Sequence, residues 1–231
     1  MKNMEQFMML YGTLPRAGPG GNEHTKRAYG MIDGLPSEPR ILDIGCGPGV
    51  QTLELARLTN GRITAIDLMA QMIERTKAAV EENGLEERVE VLRMDMNEMD
   101  FPEQEFDLVW SEGAIYIMGF RNGLEKVRPL AKDGGFVAVS EAVWLKPDPP
   151  EEVVKLWEEY PEIDTIEEKL RVIGGLGYEN VRHFVLPLES WTRDYYDHLE
   201  NRADELEEEW KDIPEALEII KGARIEVDVW L

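Results

Sequence analysis

The ten residues Arg40-Ile41-Leu42-Asp43-Ile44-Gly45-Cys46-Gly47-Pro48-Gly49, RILDIGCGPG, set a short apolar strand against three alternating glycines. Glycine lacks a Cβ and tolerates positive φ, so this turn lets backbone approach a ligand at the strand tip before a helix begins at Val50. Several nucleotide cofactors use such turns. The spacing G-x-G-x-G differs from the G-x-G-x-x-G of dinucleotide sites, and no Gly-Lys-Ser/Thr ending of a phosphate-binding loop follows. Asp43, two residues before the first glycine, narrows the choice, because a carboxylate there repels a pyrophosphate and attracts an ammonium group.

Outward from this turn, RITAID, VEVLRM, FDLVW, GFVAVSEA and VRHFVLPL read as further strands. Between them VQTLELARL, AQMIERTKAAVEENG and RNGLEKVRPL carry apolar residues three or four apart, the spacing of one helix face. The alternation predicts an α/β fold with a mostly parallel sheet covered by helices and all strand carboxyl ends on one rim. A single domain is expected, divided into an extension (1–39) centred on the Gly/Pro-rich LPRAGPGGNEH, a core (40–143), an insertion (144–170) and a carboxyl-terminal part (171–231). In the last part Leu206, Trp210, Ile213, Leu217 and Ile220 form a helical stripe. It either packs on its own domain or makes the seam of a homodimer, with Pro214 set against a continuous coiled coil.

Charge limits the partners. Lys and Arg total 25 against 47 Asp and Glu, a net charge of −22. That surface repels nucleic-acid phosphates and anionic headgroups, so neither nucleic acid nor membrane is expected as partner, and a neutral or cationic small molecule is. The single cysteine, Cys46, rules out an intramolecular disulfide and a cysteine metal cluster, and no metal site is predicted. Without a membrane-length apolar run or a signal-peptide pattern, the expected compartment is the cytoplasm.

Two more carboxylates stand at strand ends. Asp67 closes RITAID, where an acid accepts ribose hydroxyls, as it also does in NAD enzymes; Asp95 follows VEVLRM, where an acid can accept from an adenine amino group. As an ordered set, ILDIGCGPG, AIDL, RMDMNEMDFPEQEFDLVWSEG and PLAKDGGFVAVSE resemble the class I S-adenosylmethionine-dependent methyltransferases over roughly residues 38 to 142. The resemblance implies a Rossmann-like, doubly wound sheet and S-adenosylmethionine as cofactor. Asp43, Gly45 and Gly47 would then hold the methionine moiety and Asp67 the ribose. Leu68 would cover an adenine face, Asp95 and Met96 would meet its edge, and Ser111 would lie under the sulfonium. Ordinary packing competes for Leu68 and Met96, and helix capping for Asp67.

The acceptor is expected over the rim of the fourth and fifth strands. Glu112 and Glu141 are candidates to take a proton or to bind a cationic acceptor, and Tyr116 and Trp144 to shape the pocket. Relatives of the ubiquinone-biosynthesis and type 11 kind carry a histidine pair where this chain has Ile115-Tyr116. LPR-x-GPG with WSEGAIY resembles a small prokaryotic subgroup of the family. In that setting the extension becomes a lid, Arg16 meets the methionine carboxylate, and Tyr11, His24, Trp191 and Tyr195 stand near the pocket. In that subgroup a final strand follows the long helix, so VDVWL reads as a stub or a truncation of the seventh strand. Methyl transfer to a small molecule is the leading reading, and a catalytically silent cofactor-binding sensor the alternative.

Overall fold

The computed structural model describes residues 4–158 and 160–230. Two short helices, α1 (Met4–Tyr11) and α2 (Asn22–Tyr29), precede a five-stranded sheet. Its strands are β1 (Arg40–Ile44), β2 (Arg62–Asp67), β3 (Val89–Arg93), β4 (Phe106–Ser111) and β5 (Ala131–Val139). They lie in the order β3-β2-β1-β4-β5, and every neighbouring pair is parallel. The crossovers contain α3 (Val50–Leu58), α4 (Ala70–Glu82) and α5 (Phe120–Val127).

Apolar strands suit this sheet because both of its faces are covered. Ile41 and Leu108 point into one layer with Leu55 and Ile73, while their neighbours Leu42 and Val109 point into the other with Phe120 and Leu124. Each such side chain, taken wholly out of water, contributes roughly 1.5–3 kcal/mol. Strand order reverses between β1 and β4, so their following loops part and leave a crevice at the carboxyl rim.

After β5 the chain forms β6 (Val143–Trp144), α6 (Glu151–Leu156) and β7 (Asp164–Thr165), with β6 and β7 paired parallel, and then α7 (Ile166–Gly175). The last two helices are α8 (Asp197–Glu209) and α9 (Pro214–Trp230). They pack with α1 into a third apolar cluster over the sheet's carboxyl side. The stripe is used there: Leu206, Trp210 and Ile220 are buried, while Ile213 lies 40% exposed at the break that Pro214 starts afresh.

Two strand expectations are corrected. VRHFVLPL, read as a sixth strand, forms no ladder; Arg182 bonds the Met31 carbonyl (2.6 Å) and Asp33, and Arg27 of α2 lies 4.1 Å above the Phe184 ring. Alternation makes a strand only where a neighbouring edge supplies hydrogen bonds, and these residues pack by side chains on α2 and its following loop instead. VDVWL is no seventh strand either, because residues through Trp230 continue α9 and Leu231 lies outside the described residues. Val227 sits seven after Ile220 and four after Ala223, so the helical register of the stripe overrides the β preference of its valines. Among the described residues no helix is long and apolar enough to cross a membrane.

Candidate active site

Gly45, Gly47 and Gly49 have φ of +70°, +53° and +88°, and a Cβ on Gly45 would stand 2.3 Å from that of Ala114. Only glycine fits there at low cost. Neighbours hold the loop in this shape. Gly45 and Cys46 both donate backbone N–H bonds to the Ile66 carbonyl (2.9 Å each), and Thr76 Oγ1 donates to the Gly47 carbonyl (2.7 Å). Asp67 accepts from Gly47 N (3.0 Å) with one oxygen and from Met69 N (2.9 Å) with the other. Each oxygen keeps a lone pair facing outward chemistry, so the carboxylate straps the loop and can still accept from a ligand.

Asp43, at the inner end of the loop, is fully buried. Its Oδ2 accepts from Thr52 Oγ1 (2.5 Å), while its Oδ1 is buried with no hydrogen-bond partner. Burial pushes its pKa up to about 7 against the hydrogen bond from Thr52, with nearby Glu112 raising it and the Gln51 side chain and Arg16 lowering it. Arg16, itself buried, donates through Nη2 to Glu112, and its Nη1 is the second orphan. An unmet carboxylate oxygen and an unmet guanidinium N–H therefore stand beside the glycine turn, within reach of each other's charge.

The extension brings Arg16 there. Arg75 of α4 donates to the carbonyls of Gly12 (2.5 Å) and Leu14 (2.8 Å), and Ala17 Cβ comes 3.4 Å from where a Cβ on Gly47 would stand. Residues 12–21 thus cross the glycine loop. Glu112 pins them: besides Arg16 it accepts from Thr25 Oγ1 (2.7 Å) and Trp110 Nε1 (2.9 Å). Both oxygens are engaged, which gives Glu112 a clamping place rather than the open one expected of a base. Ser111, expected beneath the ligand, is fully buried and donates to the Ile44 carbonyl (3.0 Å). His24 joins the extension to the far end of the chain through Ser190 Oγ (2.7 Å) instead of facing a pocket alone.

On the β2–β3 side Leu68 is 52% exposed on the rim, and Asp95 caps a short turn by accepting from Asn97 N (2.8 Å) through Oδ1. Met96 follows it, its Cε 3.5 Å from the Gly45 Cβ position. On the β4–β5 side the Glu141 side chain is 8% exposed, and Lys169 of α7 donates to its Oε1 (2.6 Å). Tyr160 donates to the same oxygen, and Glu141 Oε2 is buried without a partner. Burial raises the Glu141 pKa against the pull of Lys169 and Tyr160. Tyr116 stands edge-on to Tyr160, ring centroids 5.5 Å apart. Trp144 is half-buried in β6; Tyr11, Trp191 and Tyr195 belong to the third apolar cluster.

Sequence reasoning missed Thr25, Thr52, Tyr160 and Lys169. Thr52 left one signal, a polar residue on the buried face of the helix after the glycines. The others come from distant segments and left none.

Glycine turn, Asp43, Asp67 and Asp95 all lie along the crevice at the carboxyl rim. Residues 41–135 match the methyltransferase domain family. Among curated proteins the chain is similar to sterol 24-C-methyltransferases, 30% identical over 52% of the chain and 31% of the protein from Yarrowia lipolytica. The Pneumocystis carinii sterol 24-C-methyltransferase is 24% identical over 72% of the chain and 47% of that protein. A 27-O-demethylrifamycin SV methyltransferase of Amycolatopsis mediterranei is 28% identical over 54% of the chain and 46% of its own length. The chain spans less than half the length of each of these relatives. Solved structures match it nearly end to end. A Geobacter sulfurreducens S-adenosylmethionine-dependent methyltransferase, crystallised with S-adenosyl-L-homocysteine, has TM-score 0.84 at 21% identity, covering 98% of this chain and 91% of that one. YjhP from E. coli has TM-score 0.86 at 23% identity, covering 98% and 92%. The fold is the Rossmann-like class I methyltransferase fold.

Proposed function

We propose that this chain is an S-adenosylmethionine-dependent methyltransferase acting on a small-molecule acceptor. The observation that carries the reading is the pair of buried orphans, Asp43 Oδ1 and Arg16 Nη1. An amino-acid zwitterion satisfies both: its ammonium meets Asp43 and its carboxylate meets Arg16, and a dinucleotide offers no such pair. The residues present therefore fit the cofactor. In this reading Asp67 accepts from the ribose, Asp95 Oδ2 and Met96 meet the adenine edge, and Leu68 covers its face. The match of residues 41–135 to the methyltransferase domain family supports the same reading.

The cofactor, when bound, supplies a methyl group already activated by the sulfonium charge. The protein has then to align the acceptor and exclude water. Residues 12–21 cover the crevice, and Glu112 holds them there through Arg16. Glu141 Oε2, buried and unmet, is left to accept a hydrogen bond from the acceptor.

Titration calorimetry tests this. S-adenosylmethionine and S-adenosylhomocysteine should bind and NAD should not. Asp43→Asn and Arg16→Ala should each weaken binding about 10- to 100-fold, the loss of a hydrogen bond to a charged group. Binding of NAD with neither sulfur compound bound would overturn the reading.

A further inference from the structure

Glu226 lies on α9, and neither the glycine loop nor the lid uses it. A carboxylate drawn out of water is ordinarily paired with a cation. Among the described residues Glu226 has no ion-pair partner, and its hydrogen bond comes from the neutral phenol of Tyr196 (3.2 Å). Tyrosines from three places in the fold lie within reach of its charge. Tyr11 ends α1, Tyr116 sits in the turn after β4, and Tyr195 and Tyr196 are consecutive residues of a π-turn, Thr192–Tyr196. That turn brings both of its tyrosines inward, 7% and 1% exposed, with ring centroids 5.2 Å apart. Tyr195 is thus nine-tenths buried, yet its hydroxyl makes no hydrogen bond among the described residues. The Glu226 charge adds to burial in raising the hydroxyl pKa of all four tyrosines. The Glu141 charge raises the Tyr116 hydroxyl pKa as well.

The place is the rim of the crevice. Tyr116 lies two residues beyond Ala114, which packs on Gly45, and Tyr11 precedes the Gly12–Leu14 segment held by Arg75. Tyrosine rings beside a carboxylate with no ion-pair partner among the described residues favour a positive charge and disfavour an anion.

We propose that Glu226, with Tyr11, Tyr116, Tyr195 and Tyr196, forms a binding site for a small organic cation, the protonated amine of the methyl acceptor. This rests on the methyltransferase reading for the word acceptor, and on the geometry alone for the cation. A protonated amine becomes nucleophilic once its N–H proton passes to a carboxylate, leaving a neutral amine and a neutral acid. Glu226 is the group placed to take it.

The test is calorimetric titration of the whole chain with choline and with dimethylethanolamine, against the uncharged carbon isostere of choline, with and without saturating S-adenosylhomocysteine. Both cations should bind about tenfold or more tighter than the isostere. Glu226→Gln should reduce them to the isostere's level, and Tyr196→Phe should weaken them less. Both variants should melt cooperatively and bind S-adenosylhomocysteine as the parent does. Equal binding of cation and isostere, no cation binding by a protein that binds S-adenosylhomocysteine, or an unaffected Glu226→Gln each overturns the site. A Glu226-dependent cation preference in a protein that fails to bind S-adenosylhomocysteine keeps the site and removes the methyl-transfer reading.

Discussion

Asp43 is a carboxyl group held where water cannot reach it, half satisfied by Thr52 and half open. Its pKa of about 7 makes cofactor binding depend on pH, and the sign follows from which form the ligand meets. An ammonium favours the ionised carboxylate, so binding lowers this raised pKa and expels a proton whenever Asp43 begins protonated. Affinity for S-adenosylhomocysteine should therefore be level above pH ~7 and fall by up to about tenfold per unit below it, until the bound-state pKa is reached. Calorimetry across pH 5 to 9, in buffers of different ionisation enthalpy, should show proton release only in the lower range, and Asp43→Asn should abolish the slope. A parent slope of zero would place the ammonium elsewhere.

Residues 12–21 contain no regular element, so their order depends on side-chain ties to the core. Glu112 collects three of these, from Arg16, Thr25 and Trp110. Glu112→Gln preserves an acceptor for Thr25 and Trp110 but removes the charge that pairs with Arg16, at a cost of about 1–3 kcal/mol. Hydrogen exchange should accelerate in residues 12–21 and α2 while β1 and β4 stay protected, and S-adenosylhomocysteine should dissociate about tenfold faster. Uniformly faster exchange would instead mark Glu112 as a residue of global stability. The helices show how far periodicity reaches. α4 and α5 were legible because three-and-four spacing is a local property, and the α9 stripe was legible for the same reason. VRHFVLPL was misread because a strand's pattern is local while its ladder is not.

The molecule carries a net charge of −22, far from neutrality for 231 residues. Such a surface keeps chains apart and strains the compact state by self-repulsion, which salt screens within about 10 Å at 0.1 M. Scanning calorimetry should record a higher Tm in 0.5 M than in 0.02 M NaCl, by a few degrees or about 1 kcal/mol for a chain of this size. An unchanged Tm would mean that local ion pairs already balance the acidic faces. The same acidity reaches the rim, where the charges of Glu141 and Glu226 both act on the Tyr116 hydroxyl and Lys169 pairs with Glu141.

By itself the sequence determined the parallel sheet, the glycine turn and the three strand-end carboxylates. Each rests on spacings of a few residues, which the pleat and the helix turn translate directly into facing positions. Tertiary structure alone decided that Glu112 accepts from Arg16, Thr25 and Trp110, that Ser111 donates to the Ile44 carbonyl, and that Lys169 pairs with Glu141. It also brought Tyr11, Tyr195 and Tyr196 into one cluster with Val227 of α9, across more than two hundred residues of chain. No local period encodes such a meeting: it follows from how α1, α8 and α9 fill the space above the rim, the sum of many packing contacts rather than of any one pattern.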